Sequence, residues 1–213
     1  MATLPPEPVG FIGCGRMGLA IAGVLSKAGI PVFLGSRDGG GKARECAKQL
    51  AGPTPRGGSY AEVAGACTVL YICLANPGRS DPVCEFLDNH RAALMGKGKI
   101  LIDPSNPWGY AHWPPPSPHK SALTYHAEYL GDPTAEWATA YKSIMWTSVA
   151  NYKLQPTEIC GTSRARAVLS ELIRAHGFEP VDCGDLHDAP VVEINGPLRK
   201  KHPRITEYDR TGK

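Results

Sequence analysis

The stretch Val9-Gly10-Phe11-Ile12-Gly13-Cys14-Gly15-Arg16-Met17-Gly18 decides the fold of this 213-residue chain. Its first four residues read as a short buried strand. The next six spell G-x-G-x-x-G, and Met17, Ile21, Val24, Leu25 and Ala28 then recur at helical spacing until Gly29 stops the run. A glycine pattern alone says little in a chain with 24 glycines. Between a strand and a helix it acquires a mechanism. Gly13 permits the tight turn, Gly15 lets the backbone approach a pyrophosphate, and Gly18 lets helix and strand pack closely. The helix N-terminus then offers N–H groups and a positive dipole end to the phosphates. An ordinary glycine-rich turn is the competing account. The context predicts dinucleotide binding through Gly13, Cys14, Gly15, Arg16, Met17 and Gly18.

Outward from this turn, apolar and helical patterns alternate. Pro31–Leu34 reads as a second strand and about 42–50 as a helix, while 52–59 is Gly/Pro-rich with at most a short strand. Thr68–Leu74 is the clearest strand of the chain, followed by a helix near 81–94 and a strand at Lys99–Asp103. Further on come a helix around Ser121–Leu130 and strands at Trp137–Tyr141, Thr157–Cys160 and Phe178–Asp182. A helix at Ser163–His176 is closed by Gly177, and Asp185–Asn195 reads as helix or loop. Strands alternating with helices predict an α/β fold: a Rossmann-type, mostly parallel doubly wound sheet with a short C-terminal extension.

Charge and cysteine usage narrow the class. Residues 199–213 hold six basic and two acidic side chains, so the other 198 residues carry −1 of the net +3. A body so close to neutral is not built to track nucleic acid. No apolar run reaches the roughly 20 residues of a membrane helix, and the N-terminus lacks the regions of a signal peptide. A cytoplasmic protein without a membrane span is expected. The seven cysteines contain no Cys-x-x-Cys, and the seven histidines no helical His-x-x-x-His, so thiols in a reducing compartment and no metal are expected.

The tip of the second strand bears on the choice of cofactor. An NAD enzyme places an acid there, about 20 residues after the glycines, on the ribose 2′-hydroxyl. Here the residues are Gly35-Ser36-Arg37, whose hydroxyl and guanidinium suit a 2′-phosphate and favour NADP(H). Asp38 is the competing ribose partner, and a solvated loop charge the competing account of Arg37. Ligands of such sheets bind outside the carboxyl ends of the strands. Those ends, Leu74-Ala75-Asn76-Pro77 and Asp103-Pro104-Ser105-Asn106-Pro107, therefore face the nicotinamide half. Leu74, Ala75, Asn76, Ser105 and Asn106 join the cofactor residues, although Asx turns before the prolines explain the two asparagines nearly as well.

Taken in order, Val9–Gly18, Gly35-Ser36-Arg37, Gly98–Asn106, Phe178–Leu186 and Glu193–Leu198 resemble the NADPH-dependent deazaflavin (coenzyme F-420) reductases and the cytosolic domain of STEAP-type metalloreductases. The resemblance covers about residues 8–198. It implies hydride transfer between NADP(H) and a flavin (FAD or FMN), a deazaflavin or a similar small acceptor, with no catalytic acid or base because hydride passes ring to ring. It also implies homodimers that help close the acceptor site. On this reading residues 1–198 form the NADP-binding oxidoreductase domain and 199–213 a basic hydrophilic tail.

The chain departs from the family at several points. Ala140-Tyr141-Lys142 stands where an Ala-Phe-Asn-like run is usual, and a lysine there would suit an acceptor phosphate. The proline loop Trp108–Pro118 differs from both subfamilies. Against the resemblance, a hydrophilic end at 199–213 is expected where the metalloreductases continue into membrane helices. Trp108, Tyr110, Trp113, Trp137 and Trp146 offer an aromatic wall for a flat acceptor, with ordinary core packing as the plainer account. Two other readings share the glycine motif: a non-catalytic NADPH sensor, and an imine or carbonyl reductase of the pyrroline carboxylate reductase type. The latter builds its site from a helical dimerisation domain, for which no room is expected after residue 198.

Overall fold

The structure, a computed structural model, describes residues 4, 6–74, 81–105, 121–150 and 156–193. Ala75, Asn76, Asn106, Trp108, Tyr110, Trp113, the proline loop and residues 199–213 lie outside them. In chain order the elements are β1 (Val9–Ile12), α1 (Arg16–Lys27), β2 (Val32–Ser36), α2 (Gly41–Lys48), β3 (Arg56–Ser59), α3 (Tyr60–Ala66), β4 (Val69–Ile72) and α4 (Pro82–Leu94). They continue as β5 (Ile100–Ile102), α5 (Ala122–Leu130), β6 (Glu136–Thr139), α6 (Trp146–Val149), β7 (Pro156–Gly161), α7 (Ser163–His176), β8 (Glu179–Asp182) and α8 (Ala189–Val192), with a 3₁₀ turn at Leu186–Asp188 before α8.

The strands form one eight-stranded sheet in the order β3-β2-β1-β4-β5-β6-β7-β8. All neighbours run parallel except β6 and β7. This is the expected mostly parallel doubly wound sheet, reversing direction of winding between β1 and β4. Period-two alternation gives the central strands β1, β2, β4 and β5 two buried faces, whereas the edge strands β3 and β8 are largely exposed. Phe11, Leu34, Tyr71 and Ile102 pack with Ile21, Leu25 and Leu169 on one side. Ile12, Leu70, Ile72 and Leu101 pack with Val63, Leu87 and Leu123 on the other.

Helix ends follow local chemistry. Asp81 caps α4, accepting the N–H groups of Val83 (2.9 Å) and Cys84 (3.3 Å), and Pro82 opens its first turn. Ser121 and Thr124 form a reciprocal cap on α5, and Gly177 ends α7 in the left-handed region. The helix α3 has no counterpart among the expected elements. Its seven residues follow a Gly/Pro-rich run, but Ser59 and Glu62 form the capping box that starts it. The buried Lys99 ammonium donates to the carbonyls of Ala64 and Cys67, both at 2.7 Å, and closes its far end.

Candidate functional site

The expected phosphate turn lies between β1 and α1, and its glycines divide the work. Gly13 has φ +103°, and a Cβ there would stand 2.4 Å from the Cys73 carbonyl oxygen. A Cβ on Gly18 would stand 2.4 Å from the Gly13 carbonyl oxygen, so α1 can approach the strand only without a side chain. Gly15 differs: no described atom lies within 4 Å of where its Cβ would be. The fold itself therefore makes no demand for a glycine at 15. It caps α1 with no side-chain hydrogen bond, and no acidic residue occupies the first turn. Such an end attracts an anion. Cys14 is buried here and burial pushes its thiol up, which makes it a small packing residue rather than a reactive one. The exposed Arg16 lays its guanidinium 5.2 Å from the centre of the Trp146 ring.

At the tip of β2 the polar groups have settled partners. The buried Ser36 hydroxyl donates to Asp38 Oδ1 at 2.5 Å and accepts the Ala43 N–H at 3.1 Å. The other Asp38 oxygen accepts the Lys42 N–H at 2.9 Å, inside the first turn of α2. Hydrogen bonds from Ser36 and then Lys42 hold the Asp38 carboxyl below its usual range. Ser36 and Asp38 thus brace the loop against α2. Arg37 projects outward, its side chain 72% exposed and 3.9 Å from Glu85, an exposed pair of small energetic weight. It borders a cleft of about 440 Å³ whose lining includes Ser36, Tyr60, Leu74, Phe86 and His90. Leu74 thereby joins Arg37 at one opening.

The carboxyl end of β5 is built from buried charge. Asp103, fully buried, accepts the Ser105 N–H (2.8 Å) and hydroxyl (2.5 Å) on one oxygen. Its other oxygen lies 2.8 Å from His126 Nδ1, and His126 Nε2 lies 3.0 Å from Asp81 Oδ2. Burial pushes Asp103 up, but the Lys142 charge and the His126 hydrogen bond outweigh it and hold the carboxyl well below its usual range. Burial likewise opposes the charged form of His126. The hydrogen bonds from Asp103 and Asp81 prevail, and the imidazole is raised to about 9. An imidazolium thus sits between two carboxylates, joining β5, α4 and α5. Beside it the Cys84 thiol is pushed up to about 12 by burial and by Asp81.

Lys142 belongs to the same network. It is buried, donates to the Ser105 carbonyl and lies 3.7 Å from Glu193, which accepts the N–H groups of Ala122 (3.1 Å) and Leu123 (3.4 Å) at the start of α5. The expectation that this lysine reaches out to an acceptor phosphate is corrected: its charge is used inside. Trp137 is corrected as well, being 2% exposed within the core, whereas Trp146 is 40% exposed under Arg16. Sequence reasoning missed Asp81, Asp103 and His126 as a unit. The available signal was His126, a polar residue on the α5 face that also carries Leu123 and Leu130.

Comparison with known proteins gives this architecture its relatives. Residues 8–107 match the family described as NADP oxidoreductase, coenzyme F420-dependent. Metalloreductase STEAP3 of Rattus norvegicus is 29% identical, over 93% of this chain. The chain spans 38% of that protein's length. Among solved structures, a hypothetical protein from Sinorhizobium meliloti superposes with a TM-score of 0.72 at 22% identity, over 90% of this chain and 92% of that one. A candidate F420-dependent NADP reductase from Arthrobacter sp. FB24 gives 0.68 at 18% identity, over 96% of this chain and 92% of that one. At those identities the structures show the fold. No helix among the described residues is long and apolar enough to cross a membrane. Over residues 8–107, then, the chain is similar to the NADP oxidoreductases of the coenzyme F420-dependent family, and its fold is the one these structures share.

Proposed function

We propose that the protein transfers hydride between NADP(H) and a flavin, a deazaflavin or a similar small acceptor. The observation that carries this reading is the division among the glycines: Gly13 and Gly18 are glycine because protein atoms crowd them, whereas at Gly15 no described atom beyond its chain neighbours would meet a side chain. A turn that reserves room its own fold does not use is a cradle for a pyrophosphate. In this reading residues 13–18 hold the pyrophosphate, and Arg37 exchanges its weak contact with Glu85 for the 2′-phosphate. Ser36 acts through the loop it braces. Leu74, Ala75, Asn76, Ser105 and Asn106 border the nicotinamide half.

The bound nicotinamide supplies the hydride chemistry, and the chain's task is to orient it and to keep water out. Asp103 serves that task by fixing Ser105 through two hydrogen bonds, so the strand end keeps its shape. The same proposal takes residues 1–198 as one catalytic unit with 199–213 as a tail, working in the cytoplasm as a homodimer that closes the acceptor side.

The test starts with binding. Gly15→Val is expected to abolish NADPH and NADH binding in a fluorescence titration while leaving the circular dichroism unchanged. Unchanged affinity would sink the phosphate-turn assignment. NADPH absorbance is then followed with FMN, FAD, a deazaflavin and ferric chelates. Oxidation by one of these supports the proposal, and tight binding with no oxidation by any of them favours an NADPH sensor instead.

A further inference from the structure

We infer that Asp81, Cys84 and His126 form a binding site for a divalent ion of the zinc class. One ligand atom from each, a carboxylate oxygen, Sγ and an imidazole nitrogen, lie within 4.8 Å of one another. Cys84 and His126 are buried and Asp81 is half-buried. Oxygen, sulfur and nitrogen donors in one set suit a borderline cation, Zn²⁺ or its spectroscopic substitute Co²⁺, and not Ca²⁺ or Mg²⁺, which take oxygen.

The sequence holds no familiar metal spacing because the ligands come from two helices. Asp81 and Cys84, three residues apart at the start of α4, share one face, and His126 on α5 supplies the third donor 45 positions from Asp81.

The surroundings are arranged as ligand support. Asp81 Oδ1 is engaged by the N–H groups of Val83 and Cys84, which leaves Oδ2 aimed at His126. His126 Nδ1 is held by Asp103 at 2.8 Å, the carboxylate–histidine arrangement that orients a ligating imidazole so that Nε2 faces the metal. Asp81 Oδ2 and His126 Nε2 stand 3.0 Å apart. Two tetrahedral zinc ligands stand about 3.3–3.4 Å apart, so a small separation of α4 and α5 admits the ion in place of the Nε2 proton. Three protein donors leave a fourth position for water or a small ligand.

The experiment uses the full chain, stripped with a chelator and titrated with Co²⁺. The expected result is one equivalent bound, with a thiolate-to-cobalt charge-transfer band and the intense ligand-field bands of a four-coordinate ion, both displaced by Zn²⁺. Cys84→Ser removes the charge-transfer band, and Asp103→Asn weakens binding about 10–100-fold. Cys14→Ser and Cys46→Ser leave the spectrum unchanged. Absence of saturable binding, or a charge-transfer band that survives Cys84→Ser, overturns the site. Crystals of the unmodified chain soaked in Zn²⁺ give a check that needs no variant to fold. An anomalous peak between Asp81, Cys84 and His126 supports the inference, and a peak elsewhere or none overturns it.

Discussion

At the turn between β1 and α1 the protein shapes a surface by leaving side chains out, whereas at the carboxyl end of β5 it buries charged ones. The first region is backbone, contiguous over Gly13–Gly18, with open space beside Gly15 among the described residues. The second gathers Asp81 and Glu193 from helix ends, His126 from the middle of α5, and Asp103 and Lys142 from the chain after β5 and β6, with Asp103 and His126 buried entirely. The difference governs how each region fails. A backbone cradle can lose its ligand and keep its fold. A buried charge network that loses one member leaves the others uncompensated in a medium of low dielectric.

The largest effect is therefore expected from Asp103→Ala. It removes one of two carboxylates beside each of His126 and Lys142, leaving Asp81 and Glu193 as their remaining counter-charges, and is expected to cost about 3–5 kcal/mol of stability, read from urea unfolding. A loss of under about 1 kcal/mol, the worth of an exposed ion pair, would show that the network is no more than a surface feature folded inward.

Within the turn the comparison sharpens to single residues. Gly13→Ala imposes a side chain on a left-handed residue and drives Cβ against the Cys73 carbonyl, an expected loss of about 2–3 kcal/mol. Gly15→Ala meets no described atom beyond its chain neighbours, and as a helix-capping position it is expected to cost under about 1 kcal/mol. Its effect belongs to NADPH affinity. Equal destabilisation by the two would erase the distinction between a glycine kept for the fold and one kept for a ligand.

Arg37→Ala touches neither backbone nor core. On the proposed function it weakens NADPH by about 1.5–3 kcal/mol, the worth of a charge-assisted pair, and NADH hardly at all. Calorimetric titration of both nucleotides reads the difference, and equal losses would take Arg37 off the 2′-phosphate.

The same contrast explains what could be read beforehand. The strand–turn–helix at 9–27, the helix Ser163–His176 and the sheet's parallel majority were legible because each announces itself over adjacent residues. Where side chains choose distant partners, local reading stops. Lys142 looked available until Glu193 and the Ser105 carbonyl claimed it. Ser36 looked like a phosphate ligand, yet its hydroxyl braces Asp38. His126 meets partners 23 and 45 positions away, a separation that no periodicity records. The helix α3 was hidden differently: its seven residues are too few to show a period, and only the Ser59–Glu62 capping box marked it.

A second buried histidine gives the smallest and most discriminating effect. His176 Nε2 lies 2.7 Å from the Val149 carbonyl, which only accepts, so Nε2 carries hydrogen. Nδ1, 3.2 Å from the Tyr141 hydroxyl, then accepts. Burial pushes Tyr141 up, so its phenol stays protonated and lends His176 no charge. Burial also lowers the His176 pKa, against a weaker opposing contribution from Val149. The sign follows. The unfolded imidazole takes up a proton near its ordinary value of about 6.5, which the folded one resists, so this residue's contribution is complete above that pH and fades as pH falls through it. His126, flanked by two carboxylates, is held charged instead. Replacing His176 with Gln keeps a donor for Val149 and removes the titration. The pH dependence of stability between about pH 7 and pH 5 is expected to be shallower in His176→Gln than in the native chain. Identical slopes would mean that His176 is protonated in the folded protein, and that burial without a carboxylate does not separate these two histidines.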